Sequence, residues 1–333
     1  MNVSIIGGGA WGTTLAQALA DNNHNVLIMD VNNNFVEKIN CDHVHPFFDV
    51  QIPSIITATS SLNEAVNYSD IIVLCVPTKV IRSVLKNINL LLKSSKIIIN
   101  VSKGIEPITS LPISKIVSEE INTEYLKGYV VLSGPSHAEE MILRNLTSLV
   151  AASDNIENSK FVQQLFSNDK YLRVYTSDDV VGVETGGAMK NAIAIISGIC
   201  SGLGLGENAR AFLITRGMKE LVSIVLALGG KMETVYGLSG IGDLIVTASS
   251  LHSRNFQCGL KIGKGMSITE AQSSIVQSVE GIRAIIAGND IAIKYNLELP
   301  LIQTAFKVVN GELDAEIALK SLLNRSLKEE KYW

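Results

Sequence analysis

Between residues 3 and 30 the chain reads VSIIGGGAWGTTLAQALADNNHNVLIMD, and no other stretch restricts its fold as much. A β-branched run leads directly into Gly7, Gly9 and Gly12, an amphipathic helical stretch follows, and a second apolar run ends in Asp30. In that setting Gly7 permits a tight turn, Gly9 lets a pyrophosphate come against the backbone, and Gly12 lets helix and strand pack closely. The amides of the helix N-terminus face the anion. A carboxylate at the end of the second strand suits ribose hydroxyls, so the segment predicts dinucleotide binding. The glycines alone would mean little in a chain with 26 of them; the strands before and after them carry the argument.

The same alternation continues through DIIVLCV (70–76), KIIINV (96–101), YVVL (129–132), TSLVAA (147–152) and YLRVYT (171–176), with helical stretches between. Such βα alternation predicts an α/β class with a Rossmann-like, mostly parallel sheet. The runs at 3–6, 70–76 and 96–101 are apolar nearly end to end, as central strands covered on both faces would be. From about Ser177 the texture becomes helical, beginning with DVVGVETGGAMKNAIAIISGICSGLGLG. A dinucleotide-binding domain over residues 1–177 and an all-helical domain over 178–333 are therefore expected. Gly186, Gly187, Gly198 and Gly202 would each cost about 1 kcal/mol in an exposed helix, so they mark close approach of a helix or ligand, or a local break.

Charge and hydropathy exclude several functions. The 28 basic and 32 acidic residues leave a net charge of -4, and neither half is basic enough to coat nucleic acid or an anionic membrane. Mean hydropathy is +0.27. Yet the longest apolar stretches, IIVLCV and AIAII, fall well short of the ~20 residues of a membrane span. No signal-peptide pattern precedes the first glycine, so a cytoplasmic location is expected. Cys41, Cys75, Cys200 and Cys258 form no CxxC pair, and the five histidines include no HExxH, so no metal site is expected. His43 and His45, beside Pro46, read as a surface loop. GGGAWGTT lacks the lysine of a P-loop.

Several residues outside the glycine turn carry chemistry. Lys103, in VSKGIEP, follows a strand end, where open α/β sheets place their ligands. Lys190 and Asn191 sit in an otherwise apolar helix, GGAMKNAIAI (186–195). Lysine is rarely buried without a role, and in a dry cleft its pKa falls toward neutrality, so it can exchange a proton with a hydroxyl or carbonyl; the alternative is a lysine snorkelling at a helix edge. Asp243 and Thr247 share a face if their segment is helical. Arg254, between Ser253 and Asn255, suits a phosphate or carboxylate, or else a polar loop. Ser136, in SGPSHAEE (133–140), lacks the elbow of a serine nucleophile.

Together these segments resemble the bacterial-type NAD(P)-dependent sn-glycerol-3-phosphate dehydrogenases. The resemblance rests on GGGAWGT (7–13), VSKGIE (101–106), SGPSHAEE (133–140), GGAMKNAIAI (186–195), NARAFLITRG (208–217), GLSGIGDLIVT (237–247), SRN (253–255) and VEGIRA (279–284), and it covers nearly the whole chain. It implies reversible reduction of dihydroxyacetone phosphate to sn-glycerol 3-phosphate, supplying phospholipid synthesis. Lys190 would be the general acid/base, supported by Asn191, with Asp243 and Thr247 around it. Lys103 would touch both cofactor and substrate. Ser253, Arg254 and Asn255 would form the phosphate site, with Gly134 and Ser136 as further substrate contacts. Cofactor contacts would fall on Ala10, Trp11, Ala138, Arg254, Ser278 and Glu280, besides the glycine turn.

Asp30 and Val31 at the end of the second strand bear on cofactor choice. A carboxylate there accepts from the ribose of NAD and repels the 2′-phosphate of NADP, and Asn32, Asn33 and Asn34 follow without a cation until Lys38. NAD is the expected preference, with NADP the alternative. A small-molecule substrate, no nucleic acid and, from the apolar helical half, an oligomer such as a homodimer, with a monomer the alternative, complete the expectation. A hydroxy-acid dehydrogenase of the 6-phosphogluconate or ketopantoate type would share the first half without SRN and GLSGIGDL. A nonenzymatic NAD-binding redox sensor is the alternative of a different class.

Overall fold

The computed structural model describes residues 1–106, 109–275, 279–323 and 329–330. The chain forms two compact units, one of Met1–Ser102 with Leu111–Val180, the other of Lys103–Ser110 with Val181–Trp333.

The first unit is built on eight strands: β1 (Asn2–Ile6), β2 (Asn25–Met29), β3 (Ile56–Thr59), β4 (Ile71–Leu74), β5 (Lys96–Asn100), β6 (Leu126–Ser133), β7 (Thr147–Ala152) and β8 (Leu172–Ser177). Their order is β3-β2-β1-β4-β5-β6-β7-β8. All neighbours are parallel except β6 and β7. The class read from the sequence, a mostly parallel Rossmann-like sheet, is the one observed, and β1, β4 and β5 lie centrally as their apolar runs require. Alternate side chains separate to opposite faces: Ile5, Ile28, Val73 and Ile99 enter one core, and Ile6, Leu27, Leu74 and Ile98 the other. The order reverses between β1 and β4, the switch point at which such sheets hold ligands. Strand β3 was not expected; it is a short edge strand whose Ile56 and Ala58 turn inward while Thr57 is exposed.

The glycine turn links β1 to the helix Ala10–Asp21. Gly7 has φ +113, and a Cβ there would lie 2.3 Å from the Cys75 carbonyl oxygen. A Cβ on Gly12 would lie 2.0 Å from the Gly7 carbonyl oxygen, so helix and turn are in backbone contact.

The second unit is helical. Its axis is the helix Val180–Gly202, which contributes Met189, Ala192, Ile193, Ile195 and Ile199 to one apolar core. Ile105, from the segment after β5, is buried in the same core. The helix Gly206–Ala227 brings in Glu220, whose carboxylate accepts from the amides of Leu301 and Ile302 and so caps the helix Pro300–Val309.

Gly198 and Gly202 of the axis are explained by helix contact. A Cβ on Gly198 would meet the Phe256 carbonyl oxygen at 2.2 Å, and one on Gly202 the Leu260 carbonyl oxygen at 2.4 Å. Reciprocally, Cβ atoms on Gly259 and Gly263 would meet the carbonyl oxygens of Ile195 and Ile199 at 2.1 and 2.3 Å. The helices Val180–Gly202 and Arg254–Gly263 thus pack backbone to backbone. Among the described residues no helix is long and apolar enough to cross a membrane.

Gly198→Ala sets two effects against each other. Helix propensity would favour alanine by about 1 kcal/mol, whereas overpacking costs ~1–3 kcal/mol. A backbone carbonyl 2.2 Å away cannot swing aside as a side chain would, so overpacking wins. Urea denaturation is expected to show a net loss of about 1–2 kcal/mol, and an unchanged or raised midpoint would contradict this account of the contact.

Candidate active site

The predicted residues fall into two groups, one in each unit. In the first unit they gather at the carboxyl ends of the parallel strands. Gly9 is the N-cap of the helix Ala10–Asp21, and no side chain caps that helix. The first amides of any helix lack intrahelical partners, so the amides of Ala10, Trp11 and Gly12 form an electropositive end. A Cβ on Gly9 would meet nothing within 4 Å, which leaves open space beside those amides. Asp30 closes the turn: its carboxylate accepts from the Gly8 amide at 2.6 Å and from the Asn32 amide at 2.9 Å. Val31, next to it, is exposed. These features fit a dinucleotide, whose pyrophosphate needs bare amides and whose ribose needs an acceptor.

Gly134, Ser136 and Ala138 follow β6 at the same edge of the sheet. Gly134 has φ +146, and a Cβ there would approach the Ser148 carbonyl oxygen at 2.9 Å. The Ser136 hydroxyl donates to the Gly134 carbonyl at 3.0 Å, which ties it into the turn. Ala138 begins the short helix Ala138–Met141.

In the second unit Lys190 is 5 % exposed, so it is a buried lysine and not a snorkelling one. Its Nζ donates to Asp243 Oδ1 and to Thr247 Oγ1, each at 2.5 Å. Asp243 and Thr247 lie one turn apart on the helix Asp243–Ser249, and share a face as their spacing requires. Lys103 Nζ takes the other Asp243 oxygen at 2.7 Å. One carboxylate, 1 % exposed, therefore bridges two ammonium groups.

Burial lowers the Lys190 pKa to about 7; Asp243 opposes the shift, while the positive charges of Lys103 and Arg254 add to it. For Asp243 burial works the other way, but the two lysines outweigh it and hold its pKa below the usual value. A lysine in this state divides between ammonium and amine near neutral pH. It can give a proton to a developing alkoxide or take one from a hydroxyl.

Asn191 and Asn255 are joined, Asn255 Nδ2 donating to Asn191 Oδ1 at 2.9 Å. Asn255 Oδ1 accepts from the Gly281 amide, also at 2.9 Å, so its side chain ties the lysine helix to the start of the helix Gly281–Tyr295. Glu280 is the N-cap of that helix and pairs with Arg283 at 3.5 Å. Ser253 caps the helix Arg254–Gly263 by accepting from the Phe256 amide. Arg254 opens that helix on its exposed side, where a guanidinium and a helix N-terminus can meet one anion. Ser278 lies outside the described residues. Among the described residues no group of three His, Cys, Asp or Glu side chains is placed to hold a metal ion.

Sequence reasoning missed two features. The ion pairs of Asp243 join residues 140 and 53 positions apart, and no local pattern announces them. His45 does lie in a loop, but its side chain is not at the surface: it is fully buried against the glycine-turn helix, with Nε2 3.0 Å from the Ala10 carbonyl oxygen. The aromatic pair Phe47–Phe48, just beyond Pro46, was the available signal.

Residues 2–159 match the family model for the N-terminal domain of NAD-dependent glycerol-3-phosphate dehydrogenase, and residues 179–320 match that for its C-terminal domain. The glycerol-3-phosphate dehydrogenase (NAD(P)+) of Acholeplasma laidlawii is 56 % identical over 330 residues, 99 % of each chain. That of Macrococcus caseolyticus is 44 % identical over 332 residues, 99 % of this chain and 100 % of its own. The crystal structure of glycerol-3-phosphate dehydrogenase from Coxiella burnetii superposes with a TM-score of 0.91 at 33 % identity, covering 97 % of this chain and 99 % of that one. A ketopantoate reductase from Ralstonia eutropha shares the fold at a TM-score of 0.62 with 16 % identity. With both domains matched in order and more than half the residues identical to one relative across nearly its full length, this chain belongs to the NAD-dependent glycerol-3-phosphate dehydrogenase family.

Proposed function

We propose that this chain interconverts dihydroxyacetone phosphate and sn-glycerol 3-phosphate with NAD(H) or NADP(H), supplying glycerol 3-phosphate for phospholipid synthesis. The observation that carries the reading is Lys190, buried in an apolar helix with its ammonium held by Asp243 and Thr247. When bound, the nicotinamide supplies the hydride. Residues 1–177 bind the dinucleotide through Gly7, Gly9, Ala10, Trp11, Gly12, Asp30, Val31 and Ala138. Residues 178–333, with Lys103, bind the substrate and move the proton.

As hydride reaches the ketone carbon, negative charge grows on the carbonyl oxygen. Lys190 gives its proton there; in the reverse direction its neutral amine accepts the hydroxyl proton. Asp243 and Thr247 orient the lysine, and Asn191 lies one residue along the same helix. Ser253, Arg254 and Asn255 receive the phosphate at a helix N-terminus. Both amide ends of the Asn255 side chain are already engaged, which favours its backbone amide for this task. Gly134 and Ser136 complete the substrate contacts, and Glu280 and Ser278 those of the cofactor.

A cytoplasmic location accompanies this reading, as does the absence of a nucleic-acid partner, the latter supported by the near-balanced charge. A homodimer is its assembly, for which Leu226, Ile245, Leu251 and Ile293 on the helical unit supply exposed apolar surface.

The direct test is consumption of NADH with dihydroxyacetone phosphate against unphosphorylated dihydroxyacetone. Turnover only with the phosphorylated ketone is expected, and no turnover with either would end the reading. Arg254→Lys removes the planar paired contact, so discrimination between the two ketones should fall by at least ~30-fold. Unchanged discrimination would assign the phosphate to another residue.

Lys190→Met keeps the stem and removes the proton donor. The kcat is expected to fall at least ~100-fold, with NADH affinity nearly unchanged. In the wild type, kcat/KM for ketone reduction should decline as pH rises through about 7, because the ammonium is the reactive form. For alcohol oxidation it should decline as pH falls through the same value, because the amine is then required. Parallel profiles in the two directions would remove Lys190 from the proton transfer.

The fixed carboxylate of Asp30 supports NAD over NADP. Like charges brought together cost several kcal/mol before screening, so kcat/KM should favour NADH over NADPH by at least ~10-fold. Asp30→Asn, which keeps an acceptor for the Gly8 amide, should narrow the ratio. Equal use of the two cofactors by the wild type would mean that the carboxylate does not face the ribose.

A further inference from the structure

The segment after β2 returns to the glycine turn through one side chain. Residues 43–52 form a small loop closed by the Val44–Gln51 bridge, by the His45 amide on the Val50 carbonyl at 2.9 Å, and by the Ile52 amide on the His43 carbonyl at 2.8 Å. The His45 imidazole points inward from the root of this loop and is 0 % exposed.

Its two nitrogens have different partners. Nδ1 lies 3.1 and 3.2 Å from the backbone nitrogens of Phe47 and Phe48, both of which are donors. Nδ1 is therefore the acceptor and Nε2 carries the hydrogen, which it donates to the Ala10 carbonyl at 3.0 Å. Burial lowers the His45 pKa to about 4, so this neutral tautomer persists at physiological pH. The Phe48 ring stacks on the imidazole at 4.5 Å and fixes its plane.

These contacts close a circuit around the dinucleotide cradle. Asp30 holds the Gly8 amide with one oxygen and the Asn32 amide with the other. Asn32 caps the helix Asn33–Glu37, and Phe35 of that helix packs edge-on against Phe47 at 5.1 Å. From Phe47 the path runs through His45 to Ala10, two residues beyond Gly8. Each half of the cradle, the anion-facing amides and the ribose-facing carboxylate, is thereby tied to the other by two routes.

We propose that His45 is a positioning residue for the dinucleotide site, setting the first turn of the helix Ala10–Asp21 against the segment that carries Asp30. The proposal rests on the dinucleotide reading above. Its chemical content is a division of labour within the ring: the Nε2 donor shapes the cradle, and the Nδ1 acceptor folds the loop. Two substitutions separate these tasks. His45→Asn places an amide oxygen near the Nδ1 position and loses the donor to Ala10. His45→Gln places an amide nitrogen near the Nε2 position and loses the acceptor for Phe47 and Phe48.

NADH binding to the folded full-length proteins, followed by fluorescence titration, tests this together with steady-state kinetics on dihydroxyacetone phosphate. For His45→Asn the NADH Kd is expected to rise about five- to tenfold, as for loss of one hydrogen bond. Its kcat at saturating NADH and its KM for the ketone should stay within about twofold, because nothing at Lys190 changes. His45→Gln should keep an NADH Kd closer to the wild type, whatever its Tm. An unchanged Kd in His45→Asn, or equal weakening in both variants, would reduce His45 to a folding element and overturn the proposal. Should His45→Asn fail to fold, Phe47→Leu loosens the far side of the circuit at a partly exposed ring. It is expected to raise the NADH Kd about two- to fivefold, and no change would overturn the proposal equally. A wild-type protein that binds no NADH would instead overturn the dinucleotide reading itself.

Discussion

A carboxylate with almost no solvent access, Asp243, permits a lysine in the middle of an apolar helix. Isolated charges in a protein interior are too costly to persist, and a group so placed ordinarily neutralises. Asp243 changes that balance by accepting from Lys190 and Lys103 at once. The cluster holds more positive than negative charge, and the surplus falls on the more deeply buried cation. A lysine on the edge of losing its proton is the outcome, poised by surroundings and not by any property of the residue itself.

The electrostatic arrangement depends in turn on apolar packing. Lys103 reaches Asp243 from a segment that leaves β5, and Ile105 two residues later is buried among the side chains of the helical core. Glu106 is also buried, with its carboxylate accepting from the Thr109 hydroxyl. An ion pair between long side chains gains little when both ends must be immobilised for it alone. Here burial of Ile105 holds the backbone two residues from Lys103, so part of the cost of ordering that lysine is met by a hydrophobic contact.

The parts of this molecule that were legible in sequence are those whose physics is local. The turn from β1 into its helix is set by glycines, of which Gly7 and Gly12 have a steric reason and Gly9 leaves open space, and the central strands declared themselves through apolar runs that only two-sided burial explains. Asp243 and Thr247 were paired correctly because helical periodicity spans four residues. What escaped was either weakly patterned or distant. The four residues of β3 bury only alternate side chains at a sheet edge, a signal hardly different from a loop. Asp243 and its two lysines come from three separate stretches of chain, and a single sequence holds no record of which charges meet. His45 misled because a histidine beside proline is usually solvent-facing, whereas here the amides of Phe47 and Phe48 fold back to satisfy its ring.

The glycine contacts between the helices Val180–Gly202 and Arg254–Gly263 have a metrical consequence. One of these helices presents Lys190 and the other opens with Arg254, so in the proposed reaction one meets the central carbonyl of the substrate and the other its phosphate. Where side chains separate two helices, the spacing drifts with rotamer choice and with every core substitution. Where carbonyl oxygens rest directly on α-carbons, the spacing is fixed by atomic radii alone. On that reading the distance from proton donor to phosphate site is a ruler cut from main chain, graduated in units that side-chain mutation elsewhere in the core cannot stretch.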